Sequence, residues 1–421
     1  MSRQPTEPGR PPRPRLSRRS LLAGAASSAG AAALLGMAPG AALASPPAQQ
    51  PVAPEDPTKV QGRPPNRVGT RSPFERPERL PSPTSSRTPL AALDGIITPS
   101  DLHFERHHGG VAVIDPARHE LLIHGLVDEP RVFTMADLRR FPSVSRITML
   151  ECSGNSGAAW TTPAPATTVQ ALHGLTSTSE WTGVPVKTLL AETGVKPDAK
   201  WVLAEGADAA VMTRSIPIEK ILDDALIAYG QNGEPLRPEQ GYPVRLFLPG
   251  WEGNMNVKWL RRLKLGDQPF MTREETSKYT DPMPVGVARQ FTFTMEAKST
   301  ITRPSAGMKV DSPGFWEIVG IAWSGRGRIT KVEVSVDGGS TWATAMLQDP
   351  VLPICHTRFR FGWNWDGKDA LLMSRATDET GYVQPTRQQL VAVRGTRSIY
   401  HYNGITGWRV APDGAVTYAT A

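Results

Sequence analysis

The chain has 421 residues, of which 39% are hydrophobic and 21% charged, a composition typical of two or three folded domains. Its two cysteines, Cys152 and Cys355, exclude a disulfide-dense scaffold and any zinc or iron–sulfur site built from four cysteines of this chain. Of the net charge of +7, +5 comes from residues 1–44, which hold six arginines and one glutamate, so residues 45–421 carry only +2. We therefore expect no nucleic-acid partner.

The first 90 residues predict two segments that lie outside any folded core. Within residues 1–44, the pair Arg18 and Arg19 precedes a stretch rich in Ala and Gly that ends on an Ala-x-Ala motif at Ala44. This order predicts a twin-arginine signal peptide, export of the folded protein to the periplasm, and a mature form with no membrane span. Because that route often carries proteins that have already taken up a cofactor, it favours a redox enzyme. Residues 45–90 are dense in Pro, Ser, Thr and Arg, which predicts a linker or an extended arm.

Residues 91–280 alternate short apolar strands with short helices, which predicts a folded domain of mixed helices and strands. Strands are expected over residues 120–125, 147–151 and 201–206, and another is entered at Arg245. A short capped helix is expected at 134–137, and a second helix from about residue 183 to a stop at Gly194. A third is expected over 217–228, with one apolar face formed by Ile218, Ile221, Leu222, Ala225 and Leu226.

Residues 281–421 show a different pattern. Strands are expected at 318–325, 331–336 and 359–365 and in a run that ends at Asp378, and Asp337-Gly338-Gly339 predicts a hairpin turn. Short strands at regular spacing predict a β-sandwich, with its tryptophans in the core or at an interface.

The stretch from Ile147 to Gly157 contains the residue around which we expect the chemistry. An apolar strand ends on Cys152, and a flexible Ser-Gly-Asn-Ser-Gly loop follows it at once. A thiolate at the open end of a strand is a soft donor for a metal, or a nucleophile. Two plainer interpretations stay open at this point: a buried structural cysteine, or a disulfide with Cys355.

Two further groups of polar residues are candidates for a binding site. His103, Arg106, His107 and His108 lie in one short run, which suits a metal site, a phosphate site or a solvated loop. Adjacent histidines in a strand would face opposite sides, which weakens the metal interpretation. Arg245 enters an apolar strand and Lys258 lies among Val, Trp and Leu, so the two could grip a phosphate or form ordinary salt bridges.

In these motifs the chain resembles the sulfite oxidase family of molybdopterin enzymes and, within it, the molybdenum subunits of sulfane dehydrogenases. The resemblance rests on separate stretches that follow one another in the family's order: residues 102–109, 151–154, 215–217, 241–245, 257–262 and 275–279. It continues through the C-terminal region, to about residue 415. It implies an α+β fold, with a sulfite-oxidase-type molybdopterin domain at residues 91–280, followed by an immunoglobulin-like β-sandwich dimerisation domain at residues 281–421.

The resemblance also implies roles for individual residues. Cys152 matches the cysteine that ligates molybdenum. Three residues match positions in the substrate pocket: Arg106, Tyr279 and Arg394. The remaining matches imply contacts to a molybdenum–molybdopterin cofactor, and these are His108, Asp208, Arg245 and Lys258.

At two positions the chain departs from the sulfite oxidases of this family. They carry a histidine where this chain has Gln240, and an arginine five residues after the cysteine, where this chain has Gly157. Loss of that arginine removes a positive charge that would hold a compact sulfite dianion. The departures therefore favour a bulkier sulfane sulfur carried on a protein arm.

The resemblance implies an oxidoreductase that transfers an oxo group to sulfur. The expected substrate is sulfane sulfur bound to a carrier protein in thiosulfate oxidation, with free sulfite as the alternative. Because the chain lacks a C-x-x-C-H haem motif, electrons are expected to pass to a separate c-type cytochrome subunit. The expected assembly is a homodimer through the C-terminal domain, or a heterotetramer with the cytochrome. An alternative of another class is a non-enzymatic exported scaffold with a Cys152–Cys355 disulfide.

Overall fold

The computed structural model of the chain describes residues 64–420 together with residues 59, 61 and 62. The predicted signal peptide and the first part of the predicted linker lie outside the described residues. The chain divides into two units, residues 1–70 and residues 71–421. Across the part of the chain that is described, no helix has both the length and the apolar character that a membrane crossing requires.

Short strands and helices alternate up to residue 266, and they confirm the predicted α+β character. The strands are β1 (Leu80–Ser82), β2 (Ser85–Arg87), β3 (Glu105–Arg106), β4 (Glu120–Gly125), β5 (Arg131–Thr134), β6 (Val144–Glu151), β7 (Thr176–Pro185), β8 (Trp201–Gly206), β9 (Thr213–Pro217), β10 (Leu226–Gln231), β11 (Glu234–Pro235), β12 (Arg245–Phe247) and β13 (Leu260–Gly266). The α-helices are α1 (Met135–Leu138), α2 (Val169–His173), α3 (Val186–Thr193) and α4 (Ile218–Asp223). Single turns of 3₁₀-helix lie at Leu90–Ala92, Ser100–Leu102, Gly157–Trp160, Pro238–Gln240 and Gly253–Met255.

Local sequence signals explain where the first helices begin and end. The Thr134 hydroxyl accepts from the Asp137 N–H and the Asp137 carboxylate accepts from the Thr134 N–H, which is the predicted capping box. Helix α3 stops before Gly194, whose φ of +65° lies in the region that favours glycine.

Two sheets carry this half of the molecule. One has the order β11-β10-β7-β6, with β12 also paired to β10, and the other has the order β5-β4-β13-β8-β9. A single apolar core joins both sheets to α3 and α4, and Val184, Leu189, Ile221 and Leu263 lie within it. In this arrangement β6 runs through buried structure and ends at Glu151, so Cys152 is the first residue beyond the strand.

The predicted helix over residues 217–228 is wrong in its second half. Helix α4 ends at Asp223, and Leu226 begins β10, which pairs with both β7 and β12. Leu222, expected on the buried face, is 40% exposed. An apolar run buried on both sides suits a central strand as well as a helix, and here the pairing with two neighbouring strands decides.

The last residues of the segment predicted as a linker, 45–90, form strands in the structure. Strands β1 and β2 form a three-stranded sheet with β3. Leu90 is 3% exposed and packs into the apolar cluster of the C-terminal sandwich. A segment rich in Pro and Ser therefore contributes to the packed body, because a few apolar and hydrogen-bonding residues within it find partners far along the chain.

The C-terminal part is the predicted β-sandwich. Its elements are a π-helical turn at Glu274–Lys278, the strands β14 (Asp281–Pro282), β15 (Ala288–Arg289), β16 (Lys298–Arg303), β17 (Gly314–Trp323), β18 (Ile329–Ser335), β19 (Ala343–Thr344), β20 (Met346–Gln348), β21 (Thr357–Trp365), β22 (Ala370–Asp378), β23 (Thr406–Val410) and β24 (Val416–Thr420), and the helix α5 (Arg387–Arg394). The two sheets have the orders β16-β17-β21-β20 and β19-β18-β22-β23-β24. Trp323, Phe359 and Trp408 fill the core between them, which confirms the predicted place of tryptophan.

Candidate active site

A cavity of about 640 Å³ that opens to solvent lies where β6 ends. Seven of the eight residues to which the resemblance gave a role line it, and they come from five separate regions of the chain: Arg106, His108, Cys152, Asp208, Arg245, Lys258 and Tyr279. The eighth, Arg394, does not line this cavity. Such convergence of polar side chains on one cleft is typical of an active site.

Cys152 is held by its backbone at the cavity wall. Its N–H donates to the Leu175 carbonyl at 3.0 Å, and its carbonyl accepts from the Asn155 N–H at 2.8 Å. Burial raises the pKa of the thiol, while a hydrogen bond from the Gly154 N–H acts against that rise. A cationic metal would favour the thiolate far more strongly than this one donor does.

The alternative of a disulfide between Cys152 and Cys355 is wrong, because both cysteines are free. Cys355 is buried where the sandwich meets β6, and its thiol lies 2.9 Å from the Ile147 carbonyl oxygen. Burial raises its pKa to about 12, so it is a packed and unreactive thiol.

Arg245, which is buried, and Lys258, which is partly buried, place two cationic side chains beside the cavity. Arg245 is 2% exposed, and it donates to the carbonyls of Gln240 at 3.1 Å and Asn256 at 3.0 Å, while its Nε has no partner among the described residues. Lys258 donates to the carbonyls of Arg106 and Glu239, both at 3.0 Å. Within the described part of the chain, neither forms an ion pair with a carboxylate, so the alternative of ordinary salt bridges is wrong.

The pKa values of both cationic groups reflect this lack of a counter-ion. Burial lowers the pKa of Arg245 to about 9. Burial, and then the nearby charge of Arg245, lowers the pKa of Lys258 well below its usual range. A buried charge without a partner is costly, and an anion bound in the cavity would remove that cost. The donor set therefore fits a phosphate-bearing cofactor.

His108 and Tyr279 form a hydrogen-bonded pair on the cavity wall. The Tyr279 hydroxyl and His108 Nε2 are 2.8 Å apart. Burial, and then the charge of Arg106, lowers the pKa of His108 to about 4, so the imidazole is neutral at pH 7 and accepts. Burial also raises the pKa of Tyr279, which stays protonated as the donor, with the Arg214 guanidinium 4.9 Å from its ring centroid.

Asp208 and Arg394 differ in how far the structure supports their predicted positions. Asp208 lines the cavity and accepts from the Met212 N–H at 2.9 Å, which shapes its own loop. Arg394 is buried at the end of α5, 3.5 Å from the carboxylates of Asp281 and Glu296. Its predicted role in the substrate pocket stays a prediction.

Sequence reasoning missed several residues that build the site. Gln240, noted only as a departure, donates to the Phe104 carbonyl at 2.9 Å and so fixes the turn that supports Arg245. Asn254 bridges the Ser153 hydroxyl at 3.0 Å and the Glu252 carboxylate at 2.8 Å. Tyr400 lies 5.3 Å from Tyr279 by ring centroids and comes from the far end of the chain, where no local pattern marks it.

Metal-binding side chains do not cluster elsewhere to offer an alternative site. Among the described residues, no group of three or more His, Cys, Asp or Glu side chains is arranged to hold a metal ion. The interpretation of the histidine run at 103–108 as a metal site is therefore wrong. A metal at Cys152 would take its other ligands from a cofactor rather than from this chain.

Known protein families match both halves of the chain. The family described as the oxidoreductase molybdopterin binding domain matches residues 108–274, and the Mo-co oxidoreductase dimerisation domain matches residues 289–407. The solved structure of the sulfane dehydrogenase SoxCD from Paracoccus pantotrophus is similar at a TM-score of 0.83 and 46% identity. That match covers 86% of this chain and 98% of the other.

Two curated relatives are more distant. The mitochondrial sulfite oxidase of Drosophila melanogaster is 30% identical over 359 residues, which is 76% of this chain and 61% of the relative. The sulfite oxidase of Gallus gallus is 29% identical over 368 residues, which is 80% of this chain and 78% of the relative. The chain thus spans somewhat under two thirds of the first relative and more than three quarters of the second.

Proposed function

The chain belongs to the sulfite oxidase family of molybdopterin oxidoreductases, and we propose that it oxidises sulfane sulfur bound to a carrier protein. The observation that carries the proposal is the cavity itself. It brings a thiol, Cys152, together with two cationic side chains, the buried Arg245 and the partly buried Lys258, that lack an anionic partner. These are the groups that a metal cofactor with a phosphate tail requires.

In this proposal Cys152 ligates molybdenum, and four residues contact the pterin and its phosphate: His108, Asp208, Arg245 and Lys258. The bound cofactor supplies oxygen-atom transfer to sulfur and accepts the electron pair that sulfur gives up. Tyr279, held protonated, exchanges its hydrogen bond to His108 for one to an oxygen of the substrate. Arg106, and Arg394 if it turns toward the pocket, stabilise the negative charge on the sulfur group.

Two observations favour sulfane sulfur over free sulfite. The identity to the sulfane dehydrogenase is 46%, against 30% and 29% for the two sulfite oxidases. Gly157 brings no charge beside the cysteine loop, and a Cβ at this position would meet the Ile399 carbonyl at 3.0 Å. Free sulfite is the second candidate, because the same oxygen transfer converts it to sulfate.

The wider setting extends the proposal. We propose residues 1–44 as a twin-arginine signal, the periplasm as the location, residues 91–280 as the catalytic domain and residues 281–421 as the dimerisation domain. The match to a dimerisation domain supports a homodimer or a heterotetramer. The absence of a haem-attachment motif supports a separate c-type cytochrome as the electron acceptor.

Substitution of Cys152 tests the proposal most simply. Cys152→Ser should fold normally but lose turnover, measured as cytochrome c reduction with sulfite and, in parallel, with a persulfidated carrier protein. Cys355→Ser is the matched control, since that thiol is buried away from the cavity, and it should keep its activity. Cytochrome reduction by Cys152→Ser at the wild-type rate would contradict the proposal, and wild-type turnover of sulfite alone would favour the second candidate.

A further inference from the structure

Arg87, in the segment first predicted to be a linker, lies beside the wall of the active site. Its strand β2 pairs with β3, and Ser85 is opposite Arg106 in that pairing. Residues opposite one another in an antiparallel pair share a face of the sheet, and so do residues i and i+2 of one strand. Arg87 is therefore on the same face of the sheet as Arg106, which lines the cavity.

The backbone around Arg87 also adjoins the cysteine loop. The Arg87 Cβ lies 2.8 Å from the position that a Cβ on Gly174 would occupy, so the two residues are in direct contact. The next residue, Leu175, accepts the Cys152 N–H at 3.0 Å. Two contacts, linked by the peptide bond between Gly174 and Leu175, thus join the N-terminal strand to the predicted metal ligand.

The Arg87 side chain has no partner of its own. Its guanidinium is half-buried, and within residues 64–420 it forms no hydrogen bond and no ion pair, whereas nearby Arg79 pairs with Glu105 at 3.2 Å. Burial lowers the pKa of Arg87, and a negative charge on Cys152 would act against this. A half-buried guanidinium with five unused donors is suited to bind an anion.

We propose that Arg87, at the edge of the cavity and outside its lining, is a substrate-binding residue that holds the negative charge of the sulfur group brought into the site, in the role left vacant by the uncharged Gly157. The inference rests on the proposed function for the nature of the substrate. The ligand class is a sulfur anion: a persulfide, a sulfur oxyanion on the carrier, or sulfite. The N-terminal segment is then part of the active site and not only a tether.

Kinetics of the complete enzyme provide the first test. Arg87→Gln should raise KM for the anionic sulfur substrate, and the inhibition constant of sulfate, by about tenfold or more, since a charge-assisted hydrogen bond is lost. Its kcat and its molybdenum and pterin contents should stay within about twofold, because neither the cofactor contacts nor the metal ligand change. Arg87→Lys, which keeps the charge, should recover part of the affinity, an outcome that a purely structural role would not give.

Arg76→Gln is the matched control, because Arg76 is exposed on the same N-terminal segment and its side chain bonds only the Pro73 carbonyl. It should leave KM and sulfate inhibition unchanged. The proposal would be overturned if wild-type and Arg87→Gln enzyme had the same KM and the same inhibition by sulfate. It would also be overturned if Arg87→Gln and Arg76→Gln lost substrate affinity to the same extent.

A second readout does not depend on turnover and separates this proposal from the proposed function. In the full-length chain purified without cofactor, Cys152 should react with an anionic dithiobis-nitrobenzoate and with neutral dithiodipyridine. Arg87→Gln should slow the anionic reagent several-fold relative to the neutral one, because the local positive potential is reduced. An unchanged ratio of the two rates would refute a role for Arg87, whether or not the chain oxidises sulfur.

Discussion

Arg245 is the residue at which the molecule shows most clearly that its cavity is built for an anion. Its guanidinium is nearly inaccessible, donates to backbone carbonyls at 3.1 and 3.0 Å and to the Gln240 side-chain oxygen at 3.4 Å, and leaves Nε without a partner among the described residues. Nothing in the sequence around Arg245 distinguishes this state from a salt bridge. Whether Arg245 has a carboxylate partner depends on which acceptors the fold brings near its guanidinium. Here those acceptors belong to Gln240 and Asn256.

Arg245→Met should therefore separate cofactor binding from folding. The loaded protein should lose at least about tenfold in pterin content, because a charged hydrogen-bond donor to phosphate is removed. The cofactor-free protein should keep its free energy of unfolding within about 1 kcal/mol, since removal of an unpaired buried charge offsets the lost bonds to carbonyls. Urea unfolding and pterin fluorescence are the measurements.

Arg261→Met is the control for Arg245→Met, as Arg261 is a half-exposed surface partner of Glu205 at 2.9 Å. Arg261→Met should change neither the pterin content nor the free energy of unfolding. Normal pterin content in Arg245→Met would contradict a cofactor contact, and a loss of about 3 kcal/mol or more in the cofactor-free protein would assign Arg245 to the structure instead.

At the scale of elements, the end of strand β6 is fixed by the C-terminal sandwich. The Glu151 carboxylate accepts from Trp323 Nε1 at 2.6 Å and Lys298 Nζ at 3.1 Å, as well as from Asn155 Nδ2 at 2.9 Å. Since Cys152 is the next residue, these bonds help to hold the predicted metal ligand in place. Glu151 and Lys298 are both buried, so the pair is sensitive to the loss of either partner.

Lys298→Met should cost about 3–5 kcal/mol in the free energy of unfolding, because it leaves the Glu151 carboxylate buried without a counter-ion. The double variant Glu151→Leu with Lys298→Met should recover a large part of that loss. Lys331→Met, at a half-exposed lysine paired with Glu333, should cost under about 1 kcal/mol. Urea unfolding of the three variants measures the differences, and equal costs for the two lysine variants would contradict a coupled buried pair.

The elements show which features of the fold local sequence can predict. The short helix α1, the stop of α3 at Gly194 and strand β6 follow from capping, glycine and apolar runs, and all three are confirmed. The second half of the predicted helix over 217–228 is a strand, because pairing with β7 and β12 outweighs helical periodicity. The strands at residues 80–87 were missed for the same reason, as their partners are not local.

At the scale of the whole molecule, the α+β half lines the cavity, and the β-sandwich supports it from outside through contacts such as that of Trp323 with Glu151. The family resemblance predicted this order of domains and seven of the residues that line the cavity. It could not supply the supports from the far end of the chain, such as Tyr400 beside Tyr279, because only the folded backbone brings them close. The partner surfaces and the export signal remain predictions from the sequence.

The central claim is that this chain holds a molybdenum–molybdopterin cofactor, and direct analysis of metal and pterin tests it most directly. The protein is purified after expression in a host able to make molybdopterin, and both are quantified on the same sample. We predict about one molybdenum and about one pterin per chain. Folded protein that contains neither would contradict the account and return Cys152 to the status of a structural cysteine at the edge of an empty cleft.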